Sequence, residues 1–496
     1  MKKNLLSLFV LIMKVKSRRF RLPQLSYLAF FLLIPYCQGT LAQNSPNFVF
    51  ILTDDISAED LGMYGNKHIH TPNLDRIAGQ GLVFDNAFLT TSSCSPSRCS
   101  IITGRYPHNT GAPEIHMELP EDQLTFVQLL KQVGYHTVLS GKNHMAPPEQ
   151  LGFSEFSDSQ PAGSENWVQH LKERPKDKPF FFWFASHDAH RDWQINDKGR
   201  VYDPEEVSVP PYMYDGPRTR EYLAAYYHEI SRSDHYAGLV FEELVNQGIL
   251  ENTYFIYLSD NGRPFPRSKT YLYQNGSRTP LIIFGPNVKA GNTHSLVSSL
   301  DLAPTILNLA GIPIQESFQG VSFMEILKDH HAVVREVAFA ERNWHRYSAH
   351  ERMVKMGDWL YIRNNWPNKI NLSGESDPHM YLAAQELWAM LDEGELTQEQ
   401  EFITKLPQPA EQLFHLKKDP HNLVNVVHES ENKEVLAQMR LLLTRWTNET
   451  GDNIPDKPTP NKATLYGDLL EWERGETPGE ATKACKINHS GPVFID

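Results

Sequence analysis

Short, almost purely apolar runs recur along the first two-thirds of the chain, and several break off abruptly into polar residues. Asn47–Leu52 ends in Asp54-Asp55, and His136–Ser140 leads into Gly141-Lys142-Asn143-His144. Pro179–Ser186 runs into His187-Asp188-Ala189-His190, and Thr253–Leu258 delivers Ser259-Asp260-Asn261-Gly262. Runs of this length, rich in aromatic and β-branched residues, predict strands buried on both faces. Leu281–Phe284 repeats the pattern. Leu124–Val133 has helical spacing closed by Gly134, Arg218–Gln247 predicts a long helix in which a break stays open, and Asp301–Leu309 predicts another helix.

Buried strands alternating with helices predict an α/β fold with a large, mostly parallel central sheet flanked by helices. In such sheets the ligand crevice lies beyond the carboxyl ends of the strands. Four of the predicted strands end in the residues a metal or an anion needs. After about residue 330 the texture changes. Val337–Arg342 and Met356–Arg363 predict antiparallel strands, Lys433–Asn448 an amphipathic helix, and Leu372–Gln408 an inserted surface loop or helix. The division expected is a main domain over 43–330 and a smaller α+β subdomain with an antiparallel sheet over 331–496.

Residues 1–42 read as a signal peptide. Lys14, Lys16, Arg18, Arg19 and Arg21 precede the apolar run Leu25–Ile34, and Thr40-Leu41-Ala42 offers small residues for cleavage. The run is short for a membrane span. Export to the periplasm or the medium is expected, without stable membrane insertion; retention as an anchor, and a start at Met13, stay open. The formal charge of −13 argues against nucleic acid as a partner and requires any anionic substrate to meet a local basic pocket. Removal of the leader leaves Cys94, Cys99 and Cys485, of which Cys99 and Cys485 form a possible bridge.

Asp54-Asp55 and Asp260-Asn261 make an all-oxygen ligand set of the kind a hard divalent cation takes, so calcium or magnesium is favoured over a transition metal. The sharpest motif is Cys94-Ser95-Pro96-Ser97-Arg98 followed by Thr103-Gly104-Arg105. Here the chain resembles the type I, formylglycine-dependent sulfatases of the alkaline-phosphatase-like superfamily, whose signature is Cys-x-Pro-x-Arg with a following Thr-Gly-Arg. The resemblance extends to Thr71–Asp75, to Gly141–His144, to His187–Arg191 with Ala189 in place of a proline, and to Leu413–Val426. Phe181–Arg191 and Ser259–Thr270 resemble most the heparan N-sulfatase branch, the N-sulfoglucosamine sulfohydrolases.

The resemblance implies that a maturation enzyme converts Cys94 to formylglycine and that one calcium ion is held by Asp54, Asp55, Asp260, Asn261 and the modified Cys94. It implies that Arg98 holds the nucleophile, that Lys142 and Lys269 pin the sulfate, that His190 is the general acid, and that His144 takes the proton that expels sulfate. Lys269 stands where that branch has arginine, and Arg263 and Arg267 are close enough in sequence to share its role. His187, Arg263, Glu114 and His116 are weaker candidates for substrate contact, the last two within the Tyr106–Met117 loop. Trp167, Trp183 and Trp193 read as either core or sugar platform. The substrate implied is a sulfated carbohydrate such as ulvan or a heparan-type glycan, carrying an O-sulfate or an N-sulfate. A phosphonate or phosphate ester hydrolase and a glycan-binding pseudoenzyme are the alternatives.

Overall fold

In the computed structural model every residue of Asn47–Thr53 is buried, and its side chains alternate between two separate cores. Phe48, Phe50 and Leu52 enter one core, Val49 and Ile51 the other. That two-sided burial is why the run is apolar without alternation. The structure describes residues 45–370 and 372–495; the leader expected at 1–42 lies outside the described residues.

In chain order the strands of the first part are β1 (Asn47–Thr53), β2 (Leu82–Phe84), β3 (Ala87–Phe88), β4 (His136–Gly141), β5 (Glu155–Ser157), β6 (Phe180–Ala185), β7 (Thr253–Ser259), β8 (Leu281–Phe284), β9 (Gly291–Thr293) and β10 (Val297–Ser298). Eight of them form one sheet in the order β5-β4-β6-β1-β7-β8-β2-β9. All its pairings are parallel except the two made by β8. Leu281–Phe284 therefore points away from the edge that the other strands serve, a correction to the repeated pattern read from sequence. The cause is local. Residues 260–280 contain only the one-turn Gln274–Ser277 helix, too little to cross over the sheet and return parallel.

The expected long helix is Pro217–Asn246, an unbroken 30 residues with Pro217 at its start. Tyr226, Tyr227 and Ile230 of this helix pack into the second core beside Val49 and Ile51. Trp183 fills the first core and Trp167 the second, so neither is a sugar platform.

The later part carries a second, four-stranded antiparallel sheet of β11 (Val337–Arg342), β12 (Glu351–Met356), β13 (Trp359–Asn364) and β14 (Glu411–His415). Most of the strand expected over Met356–Arg363 is β13, which begins at Trp359; Met356 instead closes β12, and the hairpin between them turns at Gly357, a residue with φ +50°. The inserted segment holds a helix, Leu382–Glu393, closed by Gly394. Cys99 and Cys485 are both free thiols, which corrects the bridge considered above. Cys99 is fully enclosed in the first core, whereas Cys485 sits in the partly exposed Ala484–Lys486 turn.

One ion-pair cluster ties the long helix to the sheet edge. Arg232 donates two hydrogen bonds to Asp188, at 2.6 and 2.9 Å, and a third to Glu229 at 2.6 Å. Asp188 in turn accepts the Asp54 amide through its backbone carbonyl at 2.8 Å. Burial and the neighbouring Asp188 push the Glu229 carboxyl up, and Arg232 gives Asp188 two of its hydrogen bonds against one for Glu229. Arg232→Met should leave the Asp188 charge buried and unpaired, at a cost of about 3–5 kcal/mol. Urea unfolding tests this, and an unchanged midpoint would contradict it.

Candidate active site

The parallel strands end level. Leu52 pairs with Ala185, Gly141 with Ala185, and Thr53 with Ser259. The residues that follow therefore emerge side by side from four adjacent strands, β4, β6, β1 and β7. Backbone bonds beyond the ladder hold them there: Lys142 N–H to Ala185 O at 2.9 Å, Asp260 N–H to Thr53 O at 3.1 Å, and Ala189 N–H to Asp54 O at 2.6 Å.

At this edge one coordinating atom each from Asp54, Asp55, Cys94 and Asp260 falls within 4.8 Å of the others, and all four residues are buried. Cys94 opens the Cys94–Thr103 helix, every residue of which is buried, and its Sγ lies 3.6 Å from Asp54 Oδ1. Arg98, one turn along, donates through Nε to Asp260 Oδ2 at 2.7 Å and through Nη1 to Lys142 O at 2.8 Å. Lys142 pairs with Asp54, and Lys269 Nζ reaches Asp55 Oδ1 at 2.6 Å. Asn261 also donates to Asp55. Asp55 adopts a left-handed conformation at φ +59°, as does His144 at φ +59°; residues without a glycine's freedom hold such backbone mainly where the surroundings enforce it.

The electrostatics follow from this crowding. Burial works to raise the pKa of Asp54, yet Lys142, His190, Arg98 and Lys269 together hold it well below the usual carboxylate range. Burial pushes Asp55 and Asp260 up, reinforced by repulsion among the carboxylates. Asp55 Oδ2 and Asn261 Oδ1 are buried with no hydrogen-bond partner. Orphaned acceptors beside three carboxylates suit a divalent cation with oxygen ligands, so the residues fit such an ion. Burial, above all, also raises the Cys94 thiol, which keeps it a thiol rather than a thiolate.

Two histidines face this cluster. Burial, then Lys269, lowers His190 to about 3, and its Nδ1 bonds the Arg191 carbonyl. Burial, then Lys142, lowers His144 to about 2. His144 Nε2 lies 2.7 Å from His116 Nδ1, while its own Nδ1 is buried without a partner.

The weaker candidates are placed differently. His116 joins the cluster through His144. His187 bonds Asp158 at 2.9 Å. Arg263 spends its guanidinium on Glu59 and Asp60, at 2.5 and 2.8 Å. Glu114 is engaged by Arg474 and Thr459, at 2.6 and 2.8 Å, and burial raises it to about 7. Arg267 donates to the carbonyls of His421 and Asn422, so it does not stand in for Lys269.

Residues that sequence reading passed over also arrive. His345 Nδ1 lies 2.8 Å from Ser93 Oγ, next to the cysteine, and its pKa is depressed by burial and then by Lys269, His116, His144 and His190. Trp344 packs with Cys94 and Ile115. No spacing announces them; the one available signal is the polar break after the apolar run of β11.

Lys142 depends on the glycine before it. Gly141 has φ +98°, and a Cβ there would stand 1.8 Å from Ala185 O, a backbone atom with no room to yield. Gly141→Ala should lower the apparent melting temperature by about 1–3 °C, since forced backbone of this kind costs roughly 1–3 kcal/mol and the chain is long. Differential scanning fluorimetry reads the change, and an unshifted melting curve would show that the turn is not constrained.

The sulfatase family model matches residues 46–312, and a second model, N-sulphoglucosamine sulphohydrolase, C-terminal, matches residues 267–358. The human N-sulphoglucosamine sulphohydrolase is 30% identical over 482 residues, covering 85% of this chain and 95% of that protein. An ulvan-active sulfatase of Formosa agariphila is 27% identical over 475 residues, covering 84% of this chain and 77% of that protein. The solved structure of BT4656 in complex with its substrate D-glucosamine-2-N,6-O-disulfate superposes with a TM-score of 0.63 at 20% identity, covering 82% of this chain and 98% of that one, which shows the shared fold. The chain belongs to the sulfatase family and is a sulfuric ester hydrolase.

Proposed function

We propose that the enzyme removes sulfate, as an O-ester or an N-sulfate, from a sulfated carbohydrate, using Cys94 matured to formylglycine and one bound calcium ion. The observation that carries this is the convergence of Asp54, Asp55, Cys94 and Asp260 at one sheet edge, with Arg98, Lys142 and Lys269 paired to the carboxylates. Asp54, Asp55, Asp260 and Asn261, with the modified residue 94, would hold the ion. The relatives named above act, by their names, on ulvan and on N-sulphoglucosamine, and a glycan of that sulfated kind is the substrate class we assign. We further assign export, residues 43–330 as the catalytic domain and 331–496 as the subdomain; among the described residues no helix is long and apolar enough to cross a membrane.

When present, formylglycine supplies a hydrated aldehyde as nucleophile, and calcium supplies charge that acidifies its hydroxyl and polarises the sulfuryl oxygens. The chain's own residues do the rest. Arg98, fixed by Asp260, faces position 94 and balances negative charge there. Lys142 and Lys269 hold the sulfate oxygens with preorganised positive charge. His190 uses Nδ1–H on the Arg191 carbonyl, so its Nε2 carries the mobile proton to the leaving oxygen or nitrogen. Burial first, and then Lys269 and Lys142, disfavours that proton in this structure; a bound sulfate anion would offset the share that comes from the lysines. His144 is held neutral, and in the tautomer that donates Nε2–H to His116 its buried, unpartnered Nδ1 would be the atom that takes up a proton when sulfate leaves.

Mass spectrometry of the tryptic peptide spanning Cys94 should show an aldehyde in active protein, and an unmodified thiol there would end the proposal. Chelation should abolish activity and added calcium restore it; an enzyme indifferent to chelator would rule out the ion. His190→Ala should lower kcat by about 10²–10⁴-fold on a sugar sulfate, whose leaving oxygen needs a proton, and much less on an activated aryl sulfate. Equal losses on both substrates would remove His190 from the acid role.

A further inference from the structure

The wall beside the nucleophile comes from the far C-terminal part of the chain. Trp344 is packed with Cys94 and Ile115, and Trp472 stacks on it with ring centroids 4.6 Å apart and planes at 27°. Trp472 is itself partly exposed, and Lys462 Nζ lies 5.5 Å from its ring centre. Arg474 braces the arrangement: it lies 5.3 Å from the Trp344 ring, bonds Glu114 at 2.6 Å and bonds the Ile115 carbonyl at 3.0 Å. Lys462 is anchored through its backbone, which donates to Arg346 O at 2.8 Å and accepts from Leu470 N–H at 2.9 Å.

The side chain of Lys462 has a different standing from its neighbours. Arg98, Lys142, Lys269 and Arg474 are all paired to carboxylates, whereas among the described residues none pairs with Lys462. It nevertheless lies near enough to the reaction centre to be, after burial, the foremost charge depressing His116, the residue bonded to His144. In a protein of net charge −13, an ammonium left without a carboxylate partner among the described residues, near a partly exposed indole that packs beside Cys94 through Trp344, is suited to a ring bearing negative charge.

We propose that Trp472 and Lys462 form a subsite for the sugar residue next to the one being desulfated, with Trp472 as its platform and Lys462 binding a sulfate or carboxylate it carries. Resting on the function proposed above, this makes the substrate a multiply anionic oligosaccharide rather than a small, singly sulfated sugar. Trp472 supplies the apolar face, and Lys462 supplies selectivity by being left uncompensated when that second anionic group is missing.

Calorimetric binding on the inactive Cys94→Ala background tests the subsite apart from turnover. The probes are heparin-derived and ulvan-derived tetrasaccharides, each also prepared with its carboxylates reduced and with the neighbouring sulfate removed. Lys462→Ala should weaken binding of the parent tetrasaccharide about tenfold, roughly 1.4 kcal/mol, with the effect shrinking at high salt. The difference should disappear for whichever derivative lacks the group Lys462 binds, which separates a sulfate from a carboxylate. Trp472→Ala should weaken all forms, and Trp472→Phe should restore most of the loss. Lys462→Ala binding as tightly as its parent, an equal loss on every derivative, or no binding of any tetrasaccharide to the Cys94→Ala protein would overturn the subsite. Tight binding with the predicted losses, joined to a formylglycine-bearing wild type that releases no sulfate, would instead count against the proposed function alone.

Discussion

The site rests on strand register. Leu52, Gly141, Ala185 and Leu258 lie level across four adjacent parallel strands, so a one-residue slip of any strand would turn the side chains at its end to the other face of the sheet. Register is enforced by the two cores, because β1 sends Phe48, Phe50 and Leu52 to one and Val49 and Ile51 to the other. Each such side chain contributes about 2 kcal/mol by burial, and a slipped strand would exchange every one of them between cores of different shape. Chemistry at the edge therefore inherits its precision from the apolar packing of the few residues immediately before each polar break.

That precision is used to hold a charge distribution which would not assemble unaided. Asp54, Asp55 and Asp260 are fully buried within reach of one another, a costly arrangement unless compensated. Lys142 and Lys269 provide compensation through one pairing each and Arg98 through two, to Asp260 and at 3.8 Å to Asp54, while Arg232 steadies the Asp188 loop behind Asp54. The balance is incomplete by design of the donors: Asp55 Oδ2 and Asn261 Oδ1 still lack partners. On the function proposed above, a cation would satisfy those oxygens and would compete with Lys142 and Lys269 for the carboxylates they now pair, so ion binding and anion binding would be linked through the same contacts.

Much of this was legible in the sequence. Asp54, Asp260, Lys142 and His190 each follow a run whose apolar length and abrupt end mark a buried parallel strand, and a parallel sheet has one edge where such ends meet. Leu281–Phe284 shares the composition but not the direction, because burial on both faces says nothing about which way a strand runs. Gly357 sat inside an otherwise continuous β pattern, and only its left-handed backbone reveals the hairpin there. Arg263 and Glu114 carried charge in promising loops, yet each found a local counter-ion, and ion pairing between distant segments has no periodicity to read.

The residues least visible in the sequence, His345, Trp344, Lys462 and Trp472, share one property: none follows a strand of the central sheet. They stand on coil that is pinned by backbone bonds, such as Lys462 N–H to Arg346 O, and by Trp344 Nε1–H to the Pro460 carbonyl at 2.6 Å. Coil of this kind can change its side chains without disturbing either core, whereas Asp54 or Arg98 cannot be altered without leaving a buried charge unpaired. On the proposals made above, the same physical difference would let one reaction centre serve different sulfated substrates: the buried charges are tied to the register of the sheet, and recognition of what surrounds the sulfate would fall to a wall that the sheet does not constrain.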